Sequence, residues 1–307
     1  MTSQPTDVVV VGAGPAGLCA ALWLRDLGVS FVWICEPGRL GGTLLRVGNP
    51  LRNVPGVLTH DGPTLVQHYR QQLATLDLWP DYALVKSIVA HASHVDVTTS
   101  IGTFRAGHVL LCTGTEPRLP GLPGEADLLG NGLEISVTRN LDRYAGEPVV
   151  VVGGGDAAAE GALLLAAVCP RVDVWVRGPQ FRAQPRFVKR IQESTIIHVH
   201  ENTQLAGYEV QGGRFVGVRS SDGTLLRCTG AFLRIGVQAR LPANLPDLDR
   251  DSAGYILTDA DGRTSQRRIW AAGDVTGAAF QSVAWAGGQG ARAAWMVAQE
   301  LADAFST

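Results

Sequence analysis

The chain has little net charge, no long apolar run and no closely spaced pair of cysteines. Its formal net charge is −2 over 307 residues, and this balance argues against a nucleic-acid partner, which would require clustered Lys and Arg. No apolar run reaches the roughly 18 residues of a membrane span. Residues 1–5 also lack the charged and apolar regions of a signal peptide. We therefore expect a cytoplasmic protein that binds neither nucleic acid nor membrane.

The absence of any C-x-x-C pair argues against a zinc knuckle and against a dithiol redox motif. The five cysteines are Cys19, Cys35, Cys112, Cys169 and Cys228. The first three fall within apolar patterns, where a cysteine is expected to be a buried small hydrophobe. His91, His94 and His108 match no compact metal pattern, and we expect them at the surface or at strand edges. The sequence thus predicts no metal site.

A strand, a glycine turn and a helix follow one another near the N-terminus. The β-branched run Val8–Val11 indicates a buried parallel strand, and an apolar helical pattern continues to about Leu27. Between them, Gly12, Gly14 and Gly17 match the dinucleotide fingerprint G-x-G-x-x-G. There the first glycine permits a tight turn, the second lets backbone approach a pyrophosphate, and the third lets the helix pack on the strand. The pyrophosphate then lies at the helix N-terminus, where unpaired N–H groups favour negative charge.

The next strand supports this interpretation. Residues 31–35 form an apolar strand pattern that ends at Glu36, near the roughly 20-residue offset expected for a ribose-binding acid. The two strands and the glycine turn together predict a dinucleotide site. The alternative is a chance glycine turn in an ordinary α/β domain.

A second strand, turn and helix begin at Val149. Four valines precede the glycine turn, and a helical pattern runs to about Val168. The turn and the start of the helix include Gly153, Gly155, Asp156 and Ala157. The repeated order predicts a second nucleotide-binding unit.

The strand at residues 172–176 ends at Arg177, the place that Glu36 takes in the first unit. An acid there favours a ribose hydroxyl and repels a 2′-phosphate, whereas an arginine does the opposite. Arg182 follows within reach of the same pocket. Alternatively, Arg177, Arg182 and Arg186 form a solvated basic face.

Short strands are predicted through much of the remaining chain. We expect separate strands at Thr103–Phe104 and Val109–Cys112. Segments Gln204–Val210, Arg214–Arg219 and Leu225–Leu233 predict a three-stranded insertion that covers a doubly wound sheet. Pro and Gly clusters at residues 117–124 and 240–246 indicate linkers.

These motifs, in this order, resemble the thioredoxin-reductase-like flavoproteins, which include thioredoxin reductases and one type of ferredoxin–NADP reductase. The matching motifs are Gly12–Gly17, Gly41-Gly42, Asn53-Val54-Pro55-Gly56, Thr113-Gly114, Gly153–Ala158 and Ala271-Ala272-Gly273-Asp274. The resemblance spans almost the whole chain. It implies an α/β protein with two Rossmann-like three-layer domains: an FAD domain of residues 1–116 and 246–307, and an inserted NAD(P) domain of residues 117–245.

The resemblance also implies the cofactor contacts. Those for FAD are Gly12, Gly14, Pro15, Ala16, Gly17, Glu36, Gly41, Gly42, Thr43, Asn53, Thr113, Gly114, Gly273, Asp274 and Gln281. Asp274 would bond the ribityl chain, and Gln281 would lie along the isoalloxazine ring. Those for NADPH are Gly153, Gly155, Asp156, Ala157, Arg177 and Arg182. Hydride transfer requires no side-chain acid or nucleophile, so we assign no catalytic residue.

The departures from the family pattern carry information about function. Counting back from Val149, the two cysteine places of the thioredoxin reductases fall on Ser136 and Arg139. Neither residue can take up flavin electrons and attack a disulfide. The His-Arg-Arg motif with a further Arg, which binds the 2′-phosphate in the family, retains only Arg177 and Arg182. Thr43 stands where the family usually has Gln.

We therefore expect an FAD-dependent oxidoreductase that passes electrons from NADPH to an external acceptor without a dithiol. By resemblance, the acceptor is a ferredoxin- or flavodoxin-like protein or a small molecule, and the protein is a homodimer. The main alternative is a flavoprotein whose second site binds another nucleotide or a second flavin and which takes electrons from a partner protein. A non-enzymatic flavin- or nucleotide-binding regulator is a further alternative.

Overall fold

The computed structural model describes residues 5–48, 50–58, 61–277 and 279–305. It forms two compact units, one of Met1–Glu116 with Gln238–Thr307 and one of Pro117–Val237. The return to the first unit thus comes at residue 238, eight residues before the expected 246. Residues 238–245 belong to the first unit because their backbone is bonded there: Ile88 N donates to Asn244 O over 2.8 Å, and Arg240 N donates to Gly114 O over 2.9 Å.

Both units contain strands and helices. In chain order the strands are β1 (Thr6–Val11), β2 (Phe31–Cys35), β3 (Asp81–Tyr82), β4 (Val85–Ala90), β5 (Val95–Thr99), β6 (Thr103–Leu111), β7 (Thr115–Pro117), β8 (Leu133–Glu134), β9 (Val149–Val152), β10 (Val172–Trp175), β11 (Ile197–His200), β12 (Leu205–Gln211), β13 (Arg214–Ser220), β14 (Leu225–Arg227), β15 (Gly230–Leu233), β16 (Val237–Ala239) and β17 (Ile269–Ala271). The α-helices are α1 (Pro15–Asp26), α2 (Gly62–Leu76), α3 (Glu125–Leu128), α4 (Val137–Asn140), α5 (Asp156–Leu165), α6 (Pro185–Gln192) and α7 (Val283–Phe305). Shorter 3₁₀ helices lie at Gly42–Arg46, Asp142–Tyr144 and Asp274–Thr276. Within the described ranges, no helix is long and apolar enough to cross a membrane.

The first unit is built on one long strand, β6. On one edge β6 pairs with β1 in parallel; on the other, its first half pairs antiparallel with β5 and its second half pairs in parallel with β17. The expectation of two strands at 103–104 and 109–112 is therefore wrong. Gly107 and His108 interrupt the apolar pattern, but the strand continues through them because Gly107 lies directly against the carbonyl of Asp7.

Both faces of this sheet are covered. Val8 and Val10 pack with α1 and α7, whereas Val9 and Val11 pack with the β4–β5 side. All four valines are buried. This two-sided burial explains why β1 is a continuous apolar run rather than an alternating one.

The second unit has a parallel sheet in the order β11-β10-β9-β15-β8. α5 and α6 pack on one face of the sheet. On the other face Phe215 and Val218 of β13 join the core formed by Val150 and Val152. As expected, the antiparallel sheet β12-β13-β14 covers a doubly wound sheet.

The predicted strand at 225–233 is two strands in different sheets. β14 pairs with β13, and β15 inserts between β9 and β8. Cys228 and Thr229 make the transition, with Thr229 N donating to Pro148 O over 3.0 Å. A continuous apolar pattern cannot reveal this change, because both sheets bury the same residue types.

Two glycines of α7 form a matched pair for testing how this helix packs on α1. A Cβ at Gly290 would lie 2.0 Å from Ala16 O, whereas a Cβ at Gly288 would have no heavy atom within 4 Å. We expect Gly290→Ala to lower the free energy of unfolding by about 1–3 kcal/mol, because it forces the helices apart. Gly288→Ala should leave it unchanged or raise it by up to about 1 kcal/mol. Urea unfolding measures both, and equal effects of the two variants would contradict this packing.

Candidate functional site

A cavity of about 460 Å³ lies within the first unit, at the carboxyl ends of β1, β6 and β17. Most of the residues expected to contact FAD line it: Gly12, Gly14, Pro15, Ala16, Glu36, Gly42, Thr43, Asn53, Thr113, Gly114, Gly273, Asp274 and Gln281. The carboxyl edge of an open α/β sheet is where such folds bind ligands. The structure thus brings together segments that are far apart in the chain.

The glycine turn after β1 is shaped by two close backbone contacts. Gly12 has a φ of 111°, and a Cβ there would lie 2.2 Å from Cys112 O. A Cβ at Gly17 would lie 2.0 Å from Gly12 O, so only glycine lets α1 rest on the turn. At Gly14, by contrast, a Cβ would meet nothing closer than Gly42 Cα at 4.0 Å. The open backbone at Gly14, at the N-terminus of α1, is suited to an anion.

Two of the expected contact residues serve packing instead. Gly17 and Gly41 are not part of the cavity wall. Gly41 N donates to Ala13 O over 2.7 Å, and a Cβ at Gly41 would lie 2.2 Å from Val66. Gly41 therefore holds the 3₁₀ turn at Gly42–Arg46 against the first glycine turn.

Glu36, directly after β2, is paired with two arginines in the cavity wall. Arg39 Nε lies 3.3 Å from Glu36 Oε2, and Arg240 forms an ion pair with the same oxygen. Arg240 also lies 3.6 Å from Glu116. Sequence reasoning missed both arginines, and Arg240 fell in the segment taken for a linker. Both arginines contact the same carboxylate oxygen of Glu36, Oε2.

One buried polar group in the cavity, Thr113 Oγ1, has no hydrogen-bond partner among the described residues. An unpaired buried polar group is costly. Asp274 also lines the cavity, and burial raises the pKa of its carboxyl group. Both side chains fit a ligand that carries hydroxyl groups, such as a ribityl chain.

Gln289 on α7 supports the loop of Asp274. Its Oε1 accepts from Gly273 N over 3.0 Å, and its Nε2 donates to Thr276 Oγ1 over 3.3 Å. The sequence offered no local signal for this role, since Gln289 lies within a long helix.

The second unit repeats the strand–turn–helix arrangement at β9 and α5. A Cβ at Gly153 would lie 2.2 Å from Arg234 O, whereas a Cβ at Gly155 would have no heavy atom within 4 Å. This is the same contrast that Gly12 and Gly14 show in the first unit. The side chains of Arg177 and Arg182 are exposed, as an anion site requires. Ala157, near the start of α5, is also exposed.

The turn of the second unit is also bonded to the segment that follows β10. Asp156 accepts from Gln184 N over 2.7 Å and from Gln184 Nε2 over 2.6 Å. Arg182 N donates to Gly154 O over 2.7 Å. Sequence reasoning missed Gln184, because nothing local pairs it with Asp156, 28 residues away.

Arg234 lies beneath the same turn. Its NH1 donates to Ile135 O over 3.0 Å and its Nε to Ala157 O over 3.3 Å, and burial lowers the pKa of its guanidinium. A cation is thus held at the carboxyl edge of the second sheet. It was not expected from the sequence.

The family to which this chain belongs is shown by its match to a family model. The pyridine nucleotide-disulphide oxidoreductase model matches residues 6–299. The chain belongs to this family. Among its relatives, the thioredoxin reductase of Treponema pallidum (strain Nichols) is 34% identical over 300 residues, which cover 96% of this chain and 97% of that protein.

Solved structures of the same kind are similar. The Lactococcus lactis thioredoxin reductase superposes with a TM-score of 0.85 at 26% identity, covering 97% of this chain and 99% of that one. The T. acidophilum thioredoxin reductase does so with a TM-score of 0.83 at 27% identity and the same coverage. The expected α/β fold with two Rossmann-like domains is confirmed. The homodimer and the cytoplasmic location stay predictions.

The segment before β9 holds a buried hydrogen-bond network. Ser136 is buried and Arg139 is exposed. Two residues before Ser136, the buried carboxylate of Glu134 accepts from Tyr144 Oη over 2.8 Å and from Asn140 Nδ2 over 2.7 Å. These bonds tie β8 to the last residue of α4 and to the 3₁₀ helix that follows it.

All five cysteines are free. Burial raises the pKa of each thiol, to about 11 for Cys35 and to about 12 for Cys228. Because the thiolate is the reactive form, these environments suit inert structural cysteines. The expectation of buried positions is met by Cys35 and Cys112, whereas Cys19 is only half-buried.

Of the three histidines expected at the surface or at strand edges, His91 is exposed, His94 is partly buried and His108 is buried. Trp270 Nε1 donates to His108 Nδ1 over 3.2 Å. His91 and His94 stack on each other beside Asp96, with 4.4 Å between ring centroids. The two histidines come close to Asp96 because β4 and β5 form a hairpin.

Proposed function

We propose that this protein is an FAD-dependent oxidoreductase that passes electrons from NADPH to an external acceptor without a C-x-x-C dithiol. The acceptor class proposed is a ferredoxin- or flavodoxin-like protein or a small molecule. The observation that carries the proposal is the first-unit cavity, which combines a glycine turn at the start of α1 with the unpaired Thr113 Oγ1 and the carboxyl group of Asp274.

The residues of the cavity fit FAD from end to end. Gly14 and the N-terminus of α1 would receive the pyrophosphate, Glu36 a ribose hydroxyl, and Asp274 the ribityl chain. When bound, the flavin supplies the redox chemistry, and the protein supplies orientation and electrostatics. Gln289 would keep Asp274 in place through its bonds to Gly273 and Thr276.

The cysteines support electron transfer without a dithiol. Ser136 and Arg139 occupy the two places that the thioredoxin reductases use, and no two cysteines of the chain are spaced as C-x-x-C. The thiols elsewhere have raised pKa values because they are buried. Electrons would therefore leave the flavin directly for the acceptor.

The choice of NADPH depends on Arg177 and Arg182. Both side chains are exposed, and Arg177 follows β10 as Glu36 follows β2. Two guanidinium groups at this place favour a 2′-phosphate, because each forms charge-assisted hydrogen bonds with it.

A second candidate is a flavoprotein whose second unit binds another nucleotide or a second flavin and receives electrons from a partner protein. The bonds of Gln184 to Asp156 favour it. They occupy the side chain of Asp156 at the start of α5, beside the glycine turn.

Gly14→Ala tests the FAD site. The fold has room for the added methyl group, but that group would lie where the pyrophosphate approaches. We therefore expect the affinity for FAD to fall by about tenfold or more. The measurement is flavin content after purification, followed by FAD titration of the apoprotein. Gly155→Ala is the matched control in the second unit and should retain its FAD. Undiminished FAD affinity in Gly14→Ala would contradict the assignment.

Anaerobic titration with NADPH and then NADH separates the two candidates. Rapid bleaching of the oxidised flavin band by NADPH is expected for the proposed reductase. In Arg177→Ala the KM for NADPH should rise about tenfold or more, since one charge-assisted contact is worth roughly 1.5–3 kcal/mol, while that for NADH stays nearly unchanged.

Arg186→Ala is the control, because Arg186 is exposed and its guanidinium lies over the Phe187 ring. Equal effects of Arg177→Ala on both nucleotides would contradict the phosphate contact. Failure of both nucleotides to bleach a flavin that dithionite reduces would favour the second candidate.

A further inference from the structure

The turn between β4 and β5 brings two histidines and an aspartate to one point. His91 Nε2 lies 3.3 Å and His94 Nε2 lies 3.6 Å from the same oxygen, Asp96 Oδ2. One ligand atom from each of the three side chains lies within 4.8 Å of the other two. Among the described residues, this is the group of three that has the spacing of metal ligands.

The backbone holds this arrangement. His91 N donates to His94 O over 2.8 Å, which closes the turn, and the buried Val95 anchors the start of β5. Ser93 Oγ is hydrogen-bonded to His94 Nδ1 over 3.0 Å, so the orientation of that ring is fixed. Metal-binding histidines are commonly oriented by such a bond at the other ring nitrogen.

The other nitrogen of His94 is unexplained by the protein alone. Its Nε2 is buried and has no hydrogen-bond partner. Buried polar atoms almost always have partners, and an orphaned one calls for a water or an ion. Here the lone atom faces a carboxylate oxygen and a second imidazole, which are ligands of a divalent cation.

Two of the three separations between ligand atoms fit a tetrahedral ion. Zn²⁺ binds imidazole nitrogen and carboxylate oxygen at about 2.0–2.2 Å, so neighbouring ligand atoms lie roughly 3.3 Å apart around it. The separations of 3.3 and 3.6 Å from Asp96 Oδ2 are close to this edge length, and all three ligand atoms lie within 4.8 Å of one another. We propose that His91, His94 and Asp96 form a site for Zn²⁺ or a similar borderline divalent ion, with water in the fourth position.

Neighbouring arginines limit the strength of the site. Arg105 donates to both oxygens of Asp96, over 2.9 and 3.1 Å, and Arg268 Nε donates to Ala92 O over 3.3 Å. An ionised carboxylate has about four lone-pair positions, so Asp96 Oδ2 can accept from Arg105 and still bind an ion. The two arginine side chains repel a metal ion and so lower the affinity of the site for it. We therefore expect weaker binding than in closed, Cys-rich zinc sites.

The site is remote from the first-unit cavity. Val95 pairs with Ala106, which pairs with Thr6 at the start of β1, whereas the cavity lies at the other end of the same strands. A bound ion would therefore stabilise the β4–β5 turn and take no part in electron transfer. The proposal does not rest on the proposed function.

Zinc titration of the tag-free, chelator-treated protein tests the site. Isothermal titration calorimetry should show one Zn²⁺ per chain in the wild type and no comparable binding of Mg²⁺. The affinity should fall at least about tenfold in Asp96→Asn and in His91→Gln. His198→Gln, which alters an exposed histidine on β11, should bind as the wild type does.

A second readout detects the geometry. Co²⁺ in the wild type should give the intense visible bands of a tetrahedral complex, absent from Asp96→Asn, with folding of each variant checked by circular dichroism. Zn²⁺ should also raise the Tm of the wild type more than that of the two site variants. Lack of Zn²⁺ binding by the wild type, or equal binding by all variants, would overturn the proposal.

Discussion

The first-unit cavity depends on a stack of backbone contacts that only glycine permits. Gly12 lies against the carbonyl of Cys112, Gly17 lies against the carbonyl of Gly12, and Gly290 of α7 lies against the carbonyl of Ala16. α1 is therefore in close backbone contact on two sides, with the glycine turn and with α7. This contact places the N-terminus of α1 at the carboxyl ends of β1 and β6. The anion-binding character of the cavity follows from that placement.

The second unit has the same kind of close contact between a glycine and a backbone carbonyl. Its glycine turn also lies against a carbonyl, that of Arg234, but the turn is further bonded to Gln184 and to Arg182 N. The buried guanidinium of Arg234 adds a cation beneath the turn. In both units the segment after the second strand is bonded to the turn, through Gly41 N and Ala13 O in the first and through Arg182 N and Gly154 O in the second. The bonds of Gln184 to Asp156 are a further tie in the second unit.

Local patterns predicted the elements whose burial is local. The strands β1 and β9 and the glycine turns follow from β-branched runs and glycine spacing, which predicted two nucleotide-binding units. The two-domain fold and most of the cavity wall were expected from the family resemblance that these motifs carry. Elements defined by distant partners were not predictable in this way. β6 continues through Gly107 because Asp7 lies beside it, and β15 leaves the antiparallel sheet because β8 and β9 pair with it. Arg240 and Gln289 reach the site only after the chain returns to the first unit. His91 and His94 likewise meet Asp96 only when the hairpin forms.

The central claim is that electrons pass through a flavin with no dithiol beside it, and counting electrons tests it most directly. Anaerobic dithionite titration of the oxidised holoprotein gives the number of electrons taken up per FAD. We expect an uptake of two electrons, since the flavin would be the sole redox group and the five cysteines are free. An uptake of four electrons per FAD would reveal a redox-active disulfide and would contradict the account.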